Sequence, residues 1–305
     1  MITIENKVVK VEHYPDGTQR IKLDFIGALD SLVGIGWKYE NDSECMTLKY
    51  IVDTLKKTGR QAYLTMPYIP NARMDRVKCD SEVFTLKSFT DFINTLGFSS
   101  VRVLDAHSNV SLALINNVLQ LDVKPFIKIA IDTLIEHGDG IPILYFPDAG
   151  ALKRYSDIFE SDSAFNEFRC LYGYKKRDWK TGEIKGLSIF DANNKEISKD
   201  SLDGATILMI DDIISYGGTM FYSAKALKEY GAGKIYAYAT HTENSVLDEK
   251  QGKLIKLMTG ENPVVTALFT VDTIYSGNCS AVITIPFYYP GERWVLDTKD
   301  LLKKL

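Results

Sequence analysis

Short apolar runs alternate along the chain with longer segments in which apolar residues recur every three or four positions. The apolar runs have the length of buried strands and cover residues 61–66, 99–104, 141–146, 206–210, 234–239 and 264–269. Helical spacing of apolar residues covers residues 43–57, 84–96, 126–136 and 218–230. Buried strands that alternate with helices predict an α/β fold with mainly parallel sheets flanked by helices.

The strand–helix pattern runs through the chain twice, and Pro125 lies where the second run begins. The chain has 305 residues, which is enough for two domains of ordinary size. We therefore predict an N-terminal domain over residues 1–124 and a C-terminal domain over residues 125–305.

The composition excludes several classes of protein. The chain has 36 basic and 40 acidic residues, a net charge of −4, which argues against a general nucleic-acid binder because such proteins need a basic field. No apolar run reaches the length of a membrane span, and the N-terminus alternates polar and apolar residues, unlike a signal peptide. The four cysteines form no paired motif. We expect a cytoplasmic protein with reduced thiols that binds neither nucleic acid nor membrane.

The most informative stretch is residues 207–219, which read ILMIDDIISYGGT. The small residues of its turn leave backbone N–H groups uncovered, and the helix that follows favours an anion at its N-terminus, so the turn predicts a phosphate site. Asp211 and Asp212 are expected at the carboxyl end of the strand, where open α/β sheets bind ligands. Carboxylates beside a phosphate site favour the hydroxyls of a sugar phosphate, or a metal. The alternative is that they cap a turn that the glycines merely permit.

Five further segments carry polar chemistry in a fixed order along the chain. They are YPDGT at residues 14–18, MPYIPNARMDR at 66–76, VLDAHSN at 103–109, FPDAGALKR at 146–154 and KKRDW at 175–179. The last opens a polar stretch over residues 175–186, which predicts an exposed hairpin or mobile loop. Each segment alone also has a plain interpretation as an ordinary turn, a solvated charged loop, a structural histidine or a helix cap.

Together, these segments resemble the ribose-phosphate pyrophosphokinases, and the resemblance spans the chain from Tyr14 to Ile274. Residues 207–219 resemble the phosphoribosyl pyrophosphate loop that this family shares with the type I phosphoribosyltransferases. The resemblance implies two similar phosphoribosyltransferase-like domains. It also implies ATP and ribose 5-phosphate as substrates, Mg²⁺ as cofactor, and a homo-oligomer whose ATP site lies at a subunit interface.

The resemblance also assigns roles on the sugar side of the reaction. Asp211 and Asp212 would face the ribose hydroxyls. The loop that wraps the 5-phosphate would consist of Ser215, Tyr216, Gly217, Gly218 and Thr219. Lys175 and Arg177 match a Lys-x-Arg pattern in the family's catalytic loop, where cations stabilise the charge that develops on the transferring group and on AMP.

On the ATP side, Arg73 would reach the ATP phosphates, with Asp75 beside it in the matching segment. Tyr14 and Asp16 would reach the adenine bound by a neighbouring subunit. The resemblance makes two further residues the ligands or neighbours of the catalytic Mg²⁺, namely His107 and Asp148.

The chain departs from the family pattern, which makes it a divergent member. The departures are Thr18, Met74, Ala151, Ser215 and Tyr216. Two alternatives stay open. A phosphoribosyltransferase would share residues 211–219 but would have no use for a separate ATP-binding half. A non-catalytic regulatory homologue would bind a true synthetase, although the retained histidine and catalytic cations argue against it.

Overall fold

The computed structural model describes residues 1–160, 165, 168–177, 184–288 and 301–305, with only the backbone at 156–160, 175–177 and 184–185. These residues form two compact units: the first contains Met1–Asp122 and residues 287–288, and the second contains Val123–Pro286 and residues 301–305. The second unit opens with helix α4, Lys124–Glu136, which carries a proline in its first turn. Proline suits that position because the N–H it lacks has no helical partner there.

The first unit contains eight strands and three α-helices within the described residues. They are β1 (Ile2–Ile4), β2 (Lys7–Val8), β3 (Val11–His13), β4 (Gln19–Ile21), β5 (Leu32–Trp37), α1 (Ser43–Lys57), β6 (Gln61–Thr65), α2 (Thr85–Leu96), β7 (Val101–Leu104), α3 (Asn109–Leu114) and β8 (Val118–Leu121). The main sheet has the order β2-β1-β5-β6-β7-β8, and its last four strands are parallel. β3 and β4 pair separately as an antiparallel hairpin.

The core of this unit follows from the apolar pattern. α1 buries one stripe that includes Leu48 and Leu55, and α2 buries another that includes Phe89 and Ile93. Both stripes belong to one apolar cluster with the buried face of the parallel strands. Burial of each large side chain stabilises the fold by roughly 1.5–3 kcal/mol. α2 ends at Gly97, whose φ of +66° suits a residue without a side chain.

The second unit is built around a longer parallel sheet. After α4 come β9 (Ile143–Phe146), α5 (Ala149–Glu160), β10 (Cys170–Arg177), β11 (Ile184–Asp191), β12 (Ile207–Ile214), α6 (Gly218–Glu229), β13 (Ile235–Thr242), α7 (Lys253–Met258), β14 (Leu268–Val271) and β15 (Val282–Ile285). The strand order is β11-β10-β9-β12-β13-β14-β15, and only β11 runs antiparallel to its neighbour. All eight residues of β13 are buried, as expected of a central parallel strand.

The predicted α/β fold with mainly parallel sheets is confirmed, and the strand bounds that differ most from the prediction are the end of β12 and the start of β14. β12 continues to Ile214 instead of ending before its two aspartates, because Ile213 and Ile214 still pair with β13. β14 starts at Leu268, later than the apolar run suggests, because the amides of Val264 and Val265 bond to the carbonyl oxygen of Leu257.

The polar stretch over residues 175–186 lies partly in an antiparallel hairpin. β10 and β11 pair as far as Arg177 and Ile184, while residues 178–183 lie outside the described residues. In the part of the chain that the structure describes, no helix combines the length and hydropathy needed to cross a membrane.

A buried carboxylate joins elements at the amino-terminal edge of the second sheet. The side chain of Asp139, only 1% exposed, accepts hydrogen bonds from Lys234 Nζ, from Tyr236 Oη at 2.5 Å and from His137 Nδ1 at 3.0 Å. Burial by itself raises the pKa of Asp139, but the bonds from Lys234, Tyr236 and His137 outweigh it and lower the pKa below its usual value. The carboxylate therefore connects the end of α4 to the start of β13.

We predict that Asp139→Asn lowers the free energy of unfolding by about 2 kcal/mol at pH 7, because it weakens the hydrogen bonds that Lys234 and Tyr236 donate to the charged carboxylate. A lowered pKa in the fold contributes stability above the unfolded pKa of about 3.9, and this contribution is lost as pH falls through the folded pKa. Urea unfolding should therefore show a smaller difference at about pH 3 than at pH 7. The control Asp132→Asn removes an exposed pair with Lys128 and should cost about 0.5 kcal/mol or less. Equal losses for Asp139→Asn at both pH values would contradict the prediction.

Candidate functional site

Carboxylates gather at the carboxyl edge of the sheet in the second unit. Asp148 follows the end of β9. β12 pairs with β9 only as far as Met209, so Asp211 and Asp212 lie beyond the last paired residues, on an overhanging part of β12. The prediction placed this pair at the strand end, whereas the strand continues to Ile214 along β13. Pairing with β13 therefore fixes the backbone of both aspartates, whereas β9 has already ended on the other side.

The two aspartates have different electrostatic surroundings. The carboxylate of Asp212 is 5% exposed and its Oδ2 lies 2.9 Å from Nη1 of Arg154 in α5. The amide of Asp212 donates to Oδ1 of Asp211 at 3.0 Å. Burial raises the pKa of Asp211 well above its usual value, and the neighbouring carboxyls of Asp212 and then Asp148 raise it further. A ligand that offers hydrogen-bond donors, such as sugar hydroxyls, would relieve this crowding of acidic groups.

Asp148 has a structural role that the sequence left open as an alternative. Its Oδ1 accepts hydrogen bonds from the amides of Gly150 and Ala151, both at 3.0 Å. These amides lie in the first turn of α5, so Asp148 caps this helix. The predicted alternative, a helix cap, is therefore formed by Asp148, and the role of Asp148 at a metal stays a prediction.

The turn between β12 and α6 depends on Gly217. Its φ of +74° lies in the left-handed region, and a Cβ at this position would come within 2.3 Å of the Cβ of Leu254. The N-cap residue of α6 is Gly217, which has no side chain to bond the helix amides, and the first turn contains no acidic residue. The amides of such a first turn favour an anion, and the phosphate site that the sequence predicts stays a prediction.

Residues far along the chain support this turn, and no motif indicated them. The amide of Lys253, at the start of α7, donates to the carbonyl oxygen of Tyr216 at 2.7 Å. Oγ of Ser215 lies 3.1 Å from Oγ of Ser245, which in turn donates to Glu243 at 3.1 Å. Arg154 was likewise not assigned a role, because only the fold shows that it pairs with Asp212.

The two predicted catalytic cations lie on the strand beside β9. β10 pairs with β9 only as far as Tyr172, and its continuation, which carries Lys175 and Arg177, pairs with β11 alone. The ladder between β10 and β11 shifts register between Lys176 and Arg177. The backbone of both residues thus lies past the paired part of β9, towards the same edge as Asp148, while their side chains lie outside the described parts.

In the first unit, the predicted ATP-side residues also follow the carboxyl ends of neighbouring parallel strands. Arg73 and Asp75 lie in the loop after β6, and His107 lies after β7, which pairs with β6. Arg73 is exposed, and Oδ1 of Asp75 lies 3.4 Å from Nε of Arg76. His107 is half-buried just before α3.

The hairpin of β3 and β4 carries the remaining predicted ATP-side residues at its tip. Tyr14 is 51% exposed, so its ring is accessible for stacking. Oδ1 of Asp16 accepts from the hydroxyl of Thr18 at 2.7 Å and from its amide at 2.9 Å, which lowers the pKa of Asp16. Thr18 therefore closes the turn, and Asp16 is committed in part to holding it.

The predicted metal ligands, His107 and Asp148, belong to different units. Among residues 1–160, 165, 168–177, 184–288 and 301–305, no group of three His, Cys, Asp or Glu side chains is placed to hold a metal. Mg²⁺ is commonly held by one or two carboxylates together with substrate phosphates and waters. Asp148 supplies a carboxylate of this kind and His107 offers an imidazole nitrogen, and their role at a metal stays a prediction.

Comparison with known proteins agrees with the predicted fold and with the family resemblance. No family model matches the chain. The chain is 28% identical over 244 residues to the ribose-phosphate pyrophosphokinase of Sulfolobus acidocaldarius, which covers 78% of this chain and 78% of the relative. The enzyme of the same name from Saccharolobus solfataricus is 29% identical over 247 residues, with 79% and 77% covered. That from Sulfurisphaera tokodaii is 28% identical over 274 residues, with 88% and 85% covered.

Among solved structures, the chain resembles the phosphoribosylpyrophosphate synthetase of Mycobacterium smegmatis with a TM-score of 0.68 and 16% identity. The similarity covers 92% of this chain and 86% of the other. The fold is therefore that of a phosphoribosylpyrophosphate synthetase. The chain is similar over most of its length to proteins named ribose-phosphate pyrophosphokinase, and the resemblance to that family is confirmed.

We predict that Gly217→Ala lowers the free energy of unfolding by about 2 kcal/mol or more, because it adds backbone strain and a clash with Leu254. Gly218→Ala is the matched control, since a Cβ there would meet only Cδ of Lys253 at 3.8 Å, an ordinary contact. Urea unfolding of the two variants measures the difference. Equal stabilities would show that the turn does not require a glycine at residue 217.

Proposed function

We propose that this protein is a ribose-phosphate pyrophosphokinase. It transfers the β,γ-pyrophosphoryl group of ATP to the anomeric hydroxyl of ribose 5-phosphate and releases phosphoribosyl pyrophosphate and AMP. One observation carries the proposal: the carboxylates of Asp211 and Asp212 lie on a strand overhang that leads, through Gly217, directly into the N-terminus of α6. This arrangement suits a sugar phosphate, and the curated relatives carry the name of an enzyme that acts on one.

The 5-phosphate binds at residues 215–219, where backbone N–H groups and the helix N-terminus favour an anion. The ribose hydroxyls donate to Asp211 and Asp212. The pair with Arg154 holds Asp212 in place, which leaves the crowded Asp211 to gain most from a donated hydrogen bond. The carboxylates lie on β12 and the phosphate site lies at the start of α6, so together they suit a ligand with both hydroxyls and a phosphate, a phosphorylated sugar.

ATP binds with its phosphates at Arg73, in the loop that also contains Asp75, because an exposed guanidinium suits a phosphate chain. The exposed ring of Tyr14 suits stacking on the adenine bound by a second copy of the chain, with Asp16 beside it. The protein is accordingly a homo-oligomer with an ATP site at a subunit interface. His107 and Asp148 are the predicted Mg²⁺ ligands, and the metal would neutralise phosphate charge when it is bound with ATP.

In the chemical step, the anomeric oxygen attacks the β-phosphorus in line, the bond from that phosphorus to the α-phosphate oxygen breaks, and AMP leaves. Lys175 and Arg177 stabilise the negative charge that develops on the transferring group and on AMP. The other residues named here bind and orient the two substrates, and such positioning supplies a large share of the rate in reactions of this kind.

The direct test is to incubate the purified protein with Mg²⁺, ATP and ribose 5-phosphate and to follow AMP and phosphoribosyl pyrophosphate. AMP should form only when the sugar phosphate is present. If the folded protein binds ATP or ribose 5-phosphate but produces no AMP, the proposal is wrong. The departures at Ser215 and Tyr216 would then favour a non-catalytic regulatory homologue that binds a true synthetase.

We predict that the double variant Lys175→Ala/Arg177→Ala lowers kcat about 10³-fold, because it removes the cations that stabilise the transferring group. Nucleotide affinity, measured by calorimetry, should change little. The control Lys195→Ala/Lys199→Ala removes two exposed cations of the same unit and should keep normal turnover. A double variant as active as the control would exclude the assigned role.

A further inference from the structure

The proposed phosphate loop lacks charge of its own. Residues 215–219 read SYGGT and contain no ionisable side chain other than the tyrosine phenol. A phosphate monoester carries about 1.5 to 2 negative charges at pH 7, whereas a helix N-terminus offers the equivalent of roughly half a positive charge. Most of the phosphate charge therefore remains to be balanced by a cation from an element that packs against the loop.

α7 packs against this loop and begins with a lysine. The amide of Lys253 donates to the carbonyl oxygen of Tyr216 at 2.7 Å. The next residue, Leu254, approaches Gly217 so closely that a Cβ on the glycine would lie 2.3 Å from the Cβ of Leu254. Two independent contacts thus fix the backbone of Lys253 relative to the loop.

The side chain of Lys253 follows the first turn of α6. Its Cδ lies 3.8 Å from the position of a Cβ on Gly218, so the absent side chain leaves room for the lysine. Its Nζ lies 3.4 Å from Oη of Tyr222 and 5.2 Å from the centre of that ring. These contacts are to a neutral phenol, and no carboxylate among the described residues forms an ion pair with this exposed ammonium. Its charge is available to a ligand at the helix N-terminus.

We propose that Lys253 binds the 5-phosphate group and so determines the preference of this site for phosphorylated over unphosphorylated ribose. This inference rests on the proposed function. The flexible stem of a lysine lets the ammonium move from the Tyr222 ring to a phosphate oxygen, where it acts as a point charge. Tyr222 holds the ammonium near the loop before the substrate arrives, through a cation–π contact.

The test compares Lys253→Met, which keeps the stem and removes the charge, with Lys253→Arg and with Lys250→Met. Lys250 is an exposed lysine just before α7 and serves as the charge-matched control. In Lys253→Met, the KM for ribose 5-phosphate should rise about tenfold, as expected for a lost hydrogen bond to a charged group. The KM for ATP should stay unchanged, Lys253→Arg should restore much of the loss, and Lys250→Met should match the wild type.

The outcomes separate this inference from the proposed function. If the wild type forms AMP and Lys253→Met keeps the wild-type KM for ribose 5-phosphate, the inference is overturned and the function stands. If the wild type forms no AMP, calorimetry with ribose 5-phosphate tests the site alone. Binding that is about tenfold weaker in Lys253→Met than in Lys250→Met supports the inference. Equal affinities, or no binding by the wild type, overturn it.

Discussion

The ladder between β12 and β13 is the constraint on which the candidate site depends. It continues to Ile214, past the point where β9 stops pairing, and so carries Asp211 and Asp212 on backbone that the sheet holds rigid. Two adjacent carboxyls in such a place are costly because each raises the free energy of the other's ionised form. The ion pair of Asp212 with Arg154 offsets part of this cost and at the same time joins α5 to the centre of the sheet.

The same strand delivers the chain to α6 through a turn that only glycine fits. Because Gly217 adopts a left-handed conformation and lies against Leu254, the first turn of α6 starts at a fixed place relative to the two aspartates. Carboxylates on a strand and amides on a helix are both more rigid than groups on a free loop, and rigid elements hold binding groups at defined distances. The sugar and phosphate ends of a ligand would therefore meet a site that is formed in advance.

Sequence patterns predicted the helices and strands that are determined by residues within a single segment. α1 has the predicted bounds because its apolar stripe, its polar start and its basic last turn agree. The length of β12 was not predicted, because two aspartates normally mark a strand end and the ladder with β13 overrides that preference. The pairing of Arg154 with Asp212 and the contact of α7 with the turn were also missed, since contacts between distant segments leave no periodic pattern in the sequence.

The close approach of Leu254 to Gly217 also constrains how the protein can change over evolutionary time. A larger residue at either position forces a change at the other, so the two are expected to covary among homologues of this chain. Neighbouring Lys253 is bound to the same turn through its backbone, so a lineage that altered this contact would also move the ammonium. The turn and the start of α7 would thus be inherited and modified as one unit, although they lie far apart in the sequence.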